Sequence, residues 1–383
     1  MIFALPETSP AEPLDPSLAG GRLTIDLGAL VANWRDLGAR APGAECAAVV
    51  KADGYGLGIE PVVGALSGAG CRTFFVALPS EGARARAVAP HAAIYVLNGL
   101  FEGAAPFFAA HRLRPVLGST DEIAEWSAFR SAQGGDLPAA IHVDTGMNRL
   151  GLSLAEAAEL SGDAAALAAS GAVLLVSHFA CADAPEHPLN ALQLARFAAV
   201  RELFPTLPAS LANSAGIFLD KAAHHDLLRP GIALYGGSAV AGSSNPMRAV
   251  VTLEARIMLV RDVPAGDGVG YSAVWQAPRD SRIAIISVGY ADGFLRAAGS
   301  QTGRAGAAAA VEGHLAPIVG RVSMDLIALD VTDLPADLAQ RSAFAELFGP
   351  NVPIDRTAAR AGTIGYEFLT SLGTRFRRVF IGP

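Results

Sequence analysis

Between about residues 43 and 235, eight short apolar runs alternate with alanine-rich helical stretches, and few folds accommodate that rhythm. The runs are CAAVV (46–50), TFFVA (73–77), AAIYVL (92–97), LRPVL (113–117), AAIHVD (139–144), AVLLVS (172–177), ASLAN (209–213) and the stretch from Leu227 to Tyr235. Each is nearly all apolar, as a strand covered on both faces should be, rather than alternating. Segments such as SLAEAAELSGDAAALAAS (153–170) and HPLNALQLARFAAVRELF (187–204) have the length of crossover helices. Eight strands with such crossovers predict an α/β fold, a parallel (β/α)8 TIM barrel, with an open doubly wound sheet as the alternative.

After Tyr235 the texture changes. GGSAVAGSSNP (236–246) is a linker rich in Gly and Ser, and beyond it come VVTLEARIMLVRDVPAG, RIAIISVGYADG, APIVGRVSMDLIALDV and FRRVFIGP. Turns separate these runs and long helical patterns are few, which predicts a mostly β C-terminal domain. The expected organisation is a flexible tail at 1–19, a barrel at 20–240 and the β-rich domain at 241–383. RLTIDLGAL (22–30) holds a strand ahead of the first barrel helix, with the C-terminal domain as its possible partner.

A chain of 383 residues suits a barrel plus an appended domain, and 51% hydrophobic against 17% charged residues supports a large core. The net charge is -7 with no dense basic tract, so no nucleic-acid partner is expected. Cys46, Cys71 and Cys181 form no CxxC pair, which points to a reduced compartment and no structural metal. The opening MIFALPETSPAEPLDPSLAGG lacks the positive start and longer apolar stretch of a secretory signal. The longest apolar stretch, 164–176, is shorter than the roughly 20 residues a bilayer requires and reads as a helix end running into a strand. A cytoplasmic protein with no membrane partner is expected.

The chemistry-bearing residues fall at strand ends, the catalytic rim of a parallel barrel. In AVVKADGYGLG (48–58), Lys51 follows a buried strand and precedes three glycines and Tyr55. Such a lysine is either a solvated turn residue or an amine that loses its proton easily and condenses with an aldehyde. In HVDTGMNRLG (142–151), Arg149 either lies exposed in a capping loop or clamps a carboxylate through two parallel bonds. SHFACAD (177–183) places His178 at a third strand end, as a packing residue or a base. ANSAG (212–216) offers Ser214 to cap a helix and meet a phosphate. LRPGIALYG (228–236) supplies Arg229, and then Gly231, where an anion can approach backbone N–H groups or the chain simply turns. Together these residues suit a phosphorylated aldehyde cofactor such as pyridoxal phosphate.

In order and spacing these segments resemble the alanine racemase family, fold-type III pyridoxal-phosphate enzymes. The likeness runs from about residue 22 to the C-terminus and includes GYADG (289–293), GRVSMD (320–325) and the tyrosine of TIGYEF (363–368). The resemblance implies an isomerase interconverting L-alanine and D-alanine by a two-base mechanism, with D-alanine destined for cell-wall building or drawn from catabolism. It implies that Lys51 carries the cofactor and is one base, and that Tyr271 of GDGVGYSAVW is the opposite base. It assigns the phosphate to Tyr55, Ser214, Gly231, Ile232 and Tyr366, the ring nitrogen to Arg229, ring packing to His178 and support of the phosphate cup to Asn213. Arg149 and the backbone of Met324 receive the substrate carboxylate. Tyr271 and Met324 come from a partner subunit, so the resemblance implies a homodimer, with Asp183, Tyr290, Arg296 and Arg321 along the access corridor.

The chain departs from the family pattern in places. Asp53 and Leu57 stand where relatives often have Asn and His, and His142 stands where many have a carbamylated lysine that steers the arginine. Arg149 then needs another partner or a bound anion such as chloride. Racemisation removes a proton from one face and returns one to the other, so two bases on opposite faces are the simplest solution. A free tyrosine titrates near pH ~10, so a tyrosine base needs tuning neighbours, here His178 and Arg229. Tyr366 and Tyr290 narrow the mouth toward a methyl group, favouring alanine, with serine as a slow substrate. The alternatives are a broader amino-acid racemase, a non-catalytic pyridoxal-phosphate carrier, or a decarboxylase of the same fold type. The last is expected to show a cysteine–aspartate pair where this chain has Ser323, Met324 and Asp325.

Overall fold

The apolar runs fold as parallel strands. Ala48–Val49, Thr73–Val76, Ala93–Val96, Arg114–Leu117, Ala139–His142, Ala172–Val176 and Ala209–Ser210 pair in chain order, each parallel to the next. Leu227–Leu228 closes the circle, pairing in parallel with Glu45–Cys46 at the start of the first strand. On its other side Asp226 N donates to Ala209 O and Arg229 N to Ala212 O. Closure makes this a (β/α)8 barrel rather than an open sheet. Phe74, Phe75, Val76, Ile94, Val96, Ile141 and Leu175 have no solvent exposure, and each such burial stabilises by about 1.5–3 kcal/mol. Both faces being covered is the reason the sequence runs are continuous rather than alternating.

This is a computed structural model that describes residue 15 and residues 18–382, so most of the expected tail at 1–19 lies outside the described residues. The eighth run is a strand only over Leu227–Leu228, and Ile232–Tyr235 is a turn of 3-10 helix. Pro230 has no N–H to extend the ladder, and the apolar residues after it are buried in the turn instead. The helical segment at 153–170 is two helices, Leu154–Gly162 and Ala164–Ser170. The Asp163 carboxylate caps the second by accepting from Ala165 N and Ala166 N. Gly171, left-handed at φ 65°, then turns the chain into the strand at 172. Among the described residues no helix is long and apolar enough to cross a membrane.

The chain divides into two units, Leu27–Arg248 and a second that joins the strand ending at Asp26 to Ala249–Gly382. Residues 20–26 therefore sit with the β-rich unit, not within a barrel beginning at 20. Strand Gly21–Asp26 lies antiparallel to Val251–Val263, with Leu23 opposite Leu253, and parallel to Arg377–Ile381. Residues 241–248 stay with the barrel. Asn33 Nδ2 donates to Arg248 O, and Arg248 N returns a bond to Asn33 Oδ1.

In the second unit six strands form a ring: Ser281–Ile286, Ile327–Asp330, His314–Val319, Ala308–Val311, Phe344–Phe348 and Val251–Val263. The last is 13 residues long, and an irregularity between Ile257 and Leu259 lets its two halves pair with different neighbours.

Candidate active site

Lys51 stands at the end of the first barrel strand and starts a tight left-handed turn. Ala52, Asp53, Gly54 and Tyr55 have φ of 53°, 56°, 63° and 55°. Three of these are not glycine, and each left-handed L-residue costs roughly 1–2 kcal/mol, so the turn needs local compensation. Gly56 N donates to Ala52 O at 2.7 Å and Gly58 N to Asp53 O at 2.8 Å. The Asp53 carboxylate accepts from Ile59 N at 3.0 Å and pairs with Arg84 at 2.7 Å.

The turn delivers Tyr55 to the segment that follows the neighbouring eighth strand. Its ring stacks on Tyr235 at 4.4 Å, and Tyr235 Oη donates back to Val49 O at 3.1 Å, two residues before Lys51. A Cβ on Gly231 would lie 2.2 Å from Tyr55 Oη, so only glycine permits this approach. Ser214 does not cap an α-helix; a three-residue 3-10 turn, Gly216–Phe218, follows it. Its buried Oγ instead accepts from Gly231 N at 2.7 Å and Ala233 N at 3.3 Å. Asn213 Oδ1 accepts from Gly216 N, and Ile232 is buried at the start of the next turn. Tyr55, Asn213, Ser214, Gly231 and Ile232 thus form one connected cradle.

Arg229 is buried without a carboxylate. Its guanidinium donates to Ser210 Oγ and to Ser177 O, both at 2.5 Å, lies 3.4 Å from His178 Nδ1 and sits 5.8 Å from the Phe75 ring centroid. Burial pulls its pKa down to about 9, which still leaves it protonated near neutrality. His178 is pushed well below its ordinary value by burial and by the charges of Arg229 and Arg149. His142 falls to about 4, first through burial, then through Arg229. Both imidazoles are therefore neutral at pH 7. Lys51 is lowered by burial and by Arg149, and the charge of Glu81 partly opposes this. A lysine so placed reaches the neutral, nucleophilic amine more easily than a solvated one.

The Arg149 loop is fixed by Asp144, whose carboxylate accepts from Gly146, Met147 and Asn148 N–H at 2.8 Å each. Arg149 itself is exposed and has no ion-pair partner among the described residues. Its charge reaches Lys51, His142 and His178. The mouth therefore gathers positive charge that favours anionic ligands.

Tyr271, Met324 and Tyr366 belong to the second unit. Tyr271 is 70% exposed at the tip of the hairpin Gly268–Val269/Trp275–Gln276. Met324 is 53% exposed; its carbonyl accepts from Ala291 N, and its own N–H has no acceptor among the described residues. A Cβ on Gly289 would meet Met324 O at 2.2 Å, so glycine lets these two loops touch. Tyr366 is half-buried in helix Gly365–Ser371.

Sequence reasoning missed Glu81, Ser210 and Tyr235, whose partners are distant in sequence. It also passed over a simple signal: the chain has only two lysines, Lys51 and Lys221. Lys221 is exposed in a 3-10 turn, which leaves Lys51 as the sheltered amine.

A half-buried lysine, a glycine-and-serine cradle and a carboxylate-free arginine at one barrel mouth fit a phosphorylated aldehyde cofactor. The close approach at Gly231 and the buried Arg229 are the observations that carry the fit. They define a lysine-dependent barrel enzyme of the pyridoxal-phosphate class. Residues 25–239 match the alanine racemase N-terminal domain, and 250–380 match its C-terminal domain. Two alanine racemases, from Methylobacterium sp. (strain 4-46) and Methylobacterium nodulans, are each 56% identical over 94% of this chain and cover 98% and 96% of their own length. The crystal structure of alanine racemase from Bartonella henselae with covalently bound pyridoxal phosphate superposes with a TM-score of 0.88 at 40% identity. That superposition covers 95% of this chain and all of the other. The chain belongs to the alanine racemase family.

Proposed function

We infer that this protein is an alanine racemase, an isomerase that interconverts L-alanine and D-alanine with pyridoxal 5'-phosphate held covalently at Lys51. The observation that carries the assignment is the placement of Lys51: one of two lysines, sheltered at the barrel mouth, with its proton affinity lowered. When bound, the cofactor acidifies the α-proton of the attached amino acid and accommodates the electron pair left behind.

The residues divide the remaining work. Tyr55, Ser214, Gly231, Ile232 and Tyr366 hold the phosphate, with Asn213 bracing the cup. Arg229 faces the ring nitrogen as a charged donor, and His178 packs as a neutral ring. Arg149 and the Met324 N–H receive the substrate carboxylate. Lys51 moves the proton on one face and Tyr271 on the other. The enzyme acts as a cytoplasmic homodimer in which Tyr271 and Met324 of each subunit serve the other's barrel. Supporting this are the Met324 N–H, which has no acceptor among the described residues, and the exposure of Tyr271 on a strained turn of the kind that clusters at functional sites.

The test is reduction of the purified, coloured protein with borohydride followed by peptide mapping, alongside optical rotation with L-alanine as substrate. Label on Lys51 and decay of rotation to zero are expected. A colourless protein, or label on Lys221, overturns the assignment.

A further inference from the structure

The Lys51 turn has three non-glycine residues at positive φ, and the amide of Asp53 finds its acceptor outside the turn. That acceptor is Glu81 Oε1 at 3.2 Å, from the first turn of the helix that follows the next strand. Glu81 Oε2 accepts from Ala77 N at 2.9 Å and Leu78 N at 3.1 Å. The bond to Leu78 is the ordinary reach-back of an N3 glutamate to the N-cap amide of helix Pro79–Val88, where Leu78 has no side-chain acceptor of its own. Capping does not require the bond to Asp53. Through it one carboxylate ties the end of the second strand to the turn that aims Lys51 and Tyr55. Arg84, one turn further along the same helix, grips the Asp53 carboxylate and also Glu60 at 2.6 Å.

We propose that Glu81 is a positioning residue for racemisation, holding the left-handed turn 52–55 so that Lys51 and Tyr55 face the cofactor together. The barrel supplies its own control. Glu122 makes a similar tie two strands away, accepting from Leu100 N at 3.2 Å and Gly118 N at 2.6 Å, with no bond to the Lys51 turn. If such ties only stabilise, losing either should be equivalent. If Glu81 positions, only its loss should reach the chemistry.

The inference rests on Lys51 being the attachment point, and the experiment separates the two. In the holoenzyme, Glu81→Gln keeps the length but turns one acceptor into a donor. We expect kcat for L-alanine to fall about ten- to a hundredfold, the range in which small misplacements act. KM should stay within about twofold, the visible circular dichroism of the bound cofactor should change, and amides 52–56 should exchange with deuterium at least about tenfold faster. Glu122→Gln should lower Tm comparably while leaving kcat and the dichroism unchanged. Should Glu81→Gln not fold, Glu81→Asp, too short to span both strand ends, should show the same loss. Unchanged kcat and unchanged exchange in either Glu81 variant, or an equal kcat loss in Glu122→Gln, overturns the proposal. Borohydride label appearing anywhere but Lys51 in the unaltered enzyme instead overturns the attachment reading beneath it.

Discussion

The two proposed bases sit on turns of the same hand but in opposite surroundings. Lys51 precedes four residues at positive φ, and its turn is held by a bonded carboxylate, an arginine and a stacked tyrosine pair, all within the barrel unit. Tyr271 precedes Ser272 and Ala273 at φ of 62° and 43°, and it stands 70% exposed on a two-residue-per-strand hairpin. Left-handed L-residues carry a cost at both places. At Lys51 it is offset on the spot by bonds and burial. At Tyr271 the hairpin contributes one turn bond, Ala273 N to Gly270 O at 3.2 Å. Strained turns of this kind cluster at functional sites. The proposed base Lys51 is thus prearranged by bonds within its own unit, whereas the proposed base Tyr271 stands on a turn with little local support.

Removing each base is the most forceful way to break that contrast. Lys51→Ala should lose bound cofactor and racemisation by about 10⁴-fold or more, while Tm in the absence of cofactor changes little. Tyr271→Phe should keep the cofactor and its colour. It should slow proton abstraction from one enantiomer by about 10²–10⁴-fold and from the other much less. Heavy-water exchange of the α-proton, run separately from L- and D-alanine, measures this directly. Equal slowing from both enantiomers would place the two bases differently from the arrangement inferred here.

The prearranged half should also be the acid-sensitive one. His142 has a folded pKa of about 4 against an unfolded value of ~6.5, so between these the folded state binds fewer protons. Stability from this residue is complete above pH ~6.5, falls as pH drops toward 4, and is level below that. The difference corresponds to about 3 kcal/mol at most. The groups acting on it are Arg229 and Arg149, which oppose protonation, and Asp144, which favours it. In His142→Gln the fall in Tm between pH 6.5 and 4 should be visibly shallower; an unchanged slope would show that His142 is not held neutral.

How much of this is legible in sequence follows from distance along the chain. The barrel strands are legible because burial on both faces writes a local apolar run. That signal overextends the last strand, since the buried 3-10 turn Ile232–Tyr235 is equally apolar. Lys51, Arg149 and Arg229 are legible because each follows such a run beside a glycine or proline. Tyr235 and Glu81 are not, because their bonds run to Val49 and Asp53, 186 and 28 residues away. Strand Gly21–Asp26 leaves the barrel for the same reason: Arg22 pairs with Glu254, 232 residues on. Local pattern fixes what a segment becomes, whereas its partner decides which unit it joins.

The smallest expected effect sharpens the contrast from the substrate side. Arg149 carries its charge on a loop made rigid by Asp144, yet no carboxylate among the described residues engages it. In Arg149→Lys the charge survives but the flat two-bond fork does not. The loop geometry belongs to Asp144, so fold and cofactor binding should be untouched. Losing one of two charge-assisted bonds to the alanine carboxylate should raise KM about tenfold, equivalent to about 1.4 kcal/mol. The value of kcat should move less, because the carboxylate is held alike before and during proton transfer. A fall in kcat with KM unchanged would instead mean that Arg149 tunes Lys51, whose amine its charge already reaches, and that the clamp lies elsewhere.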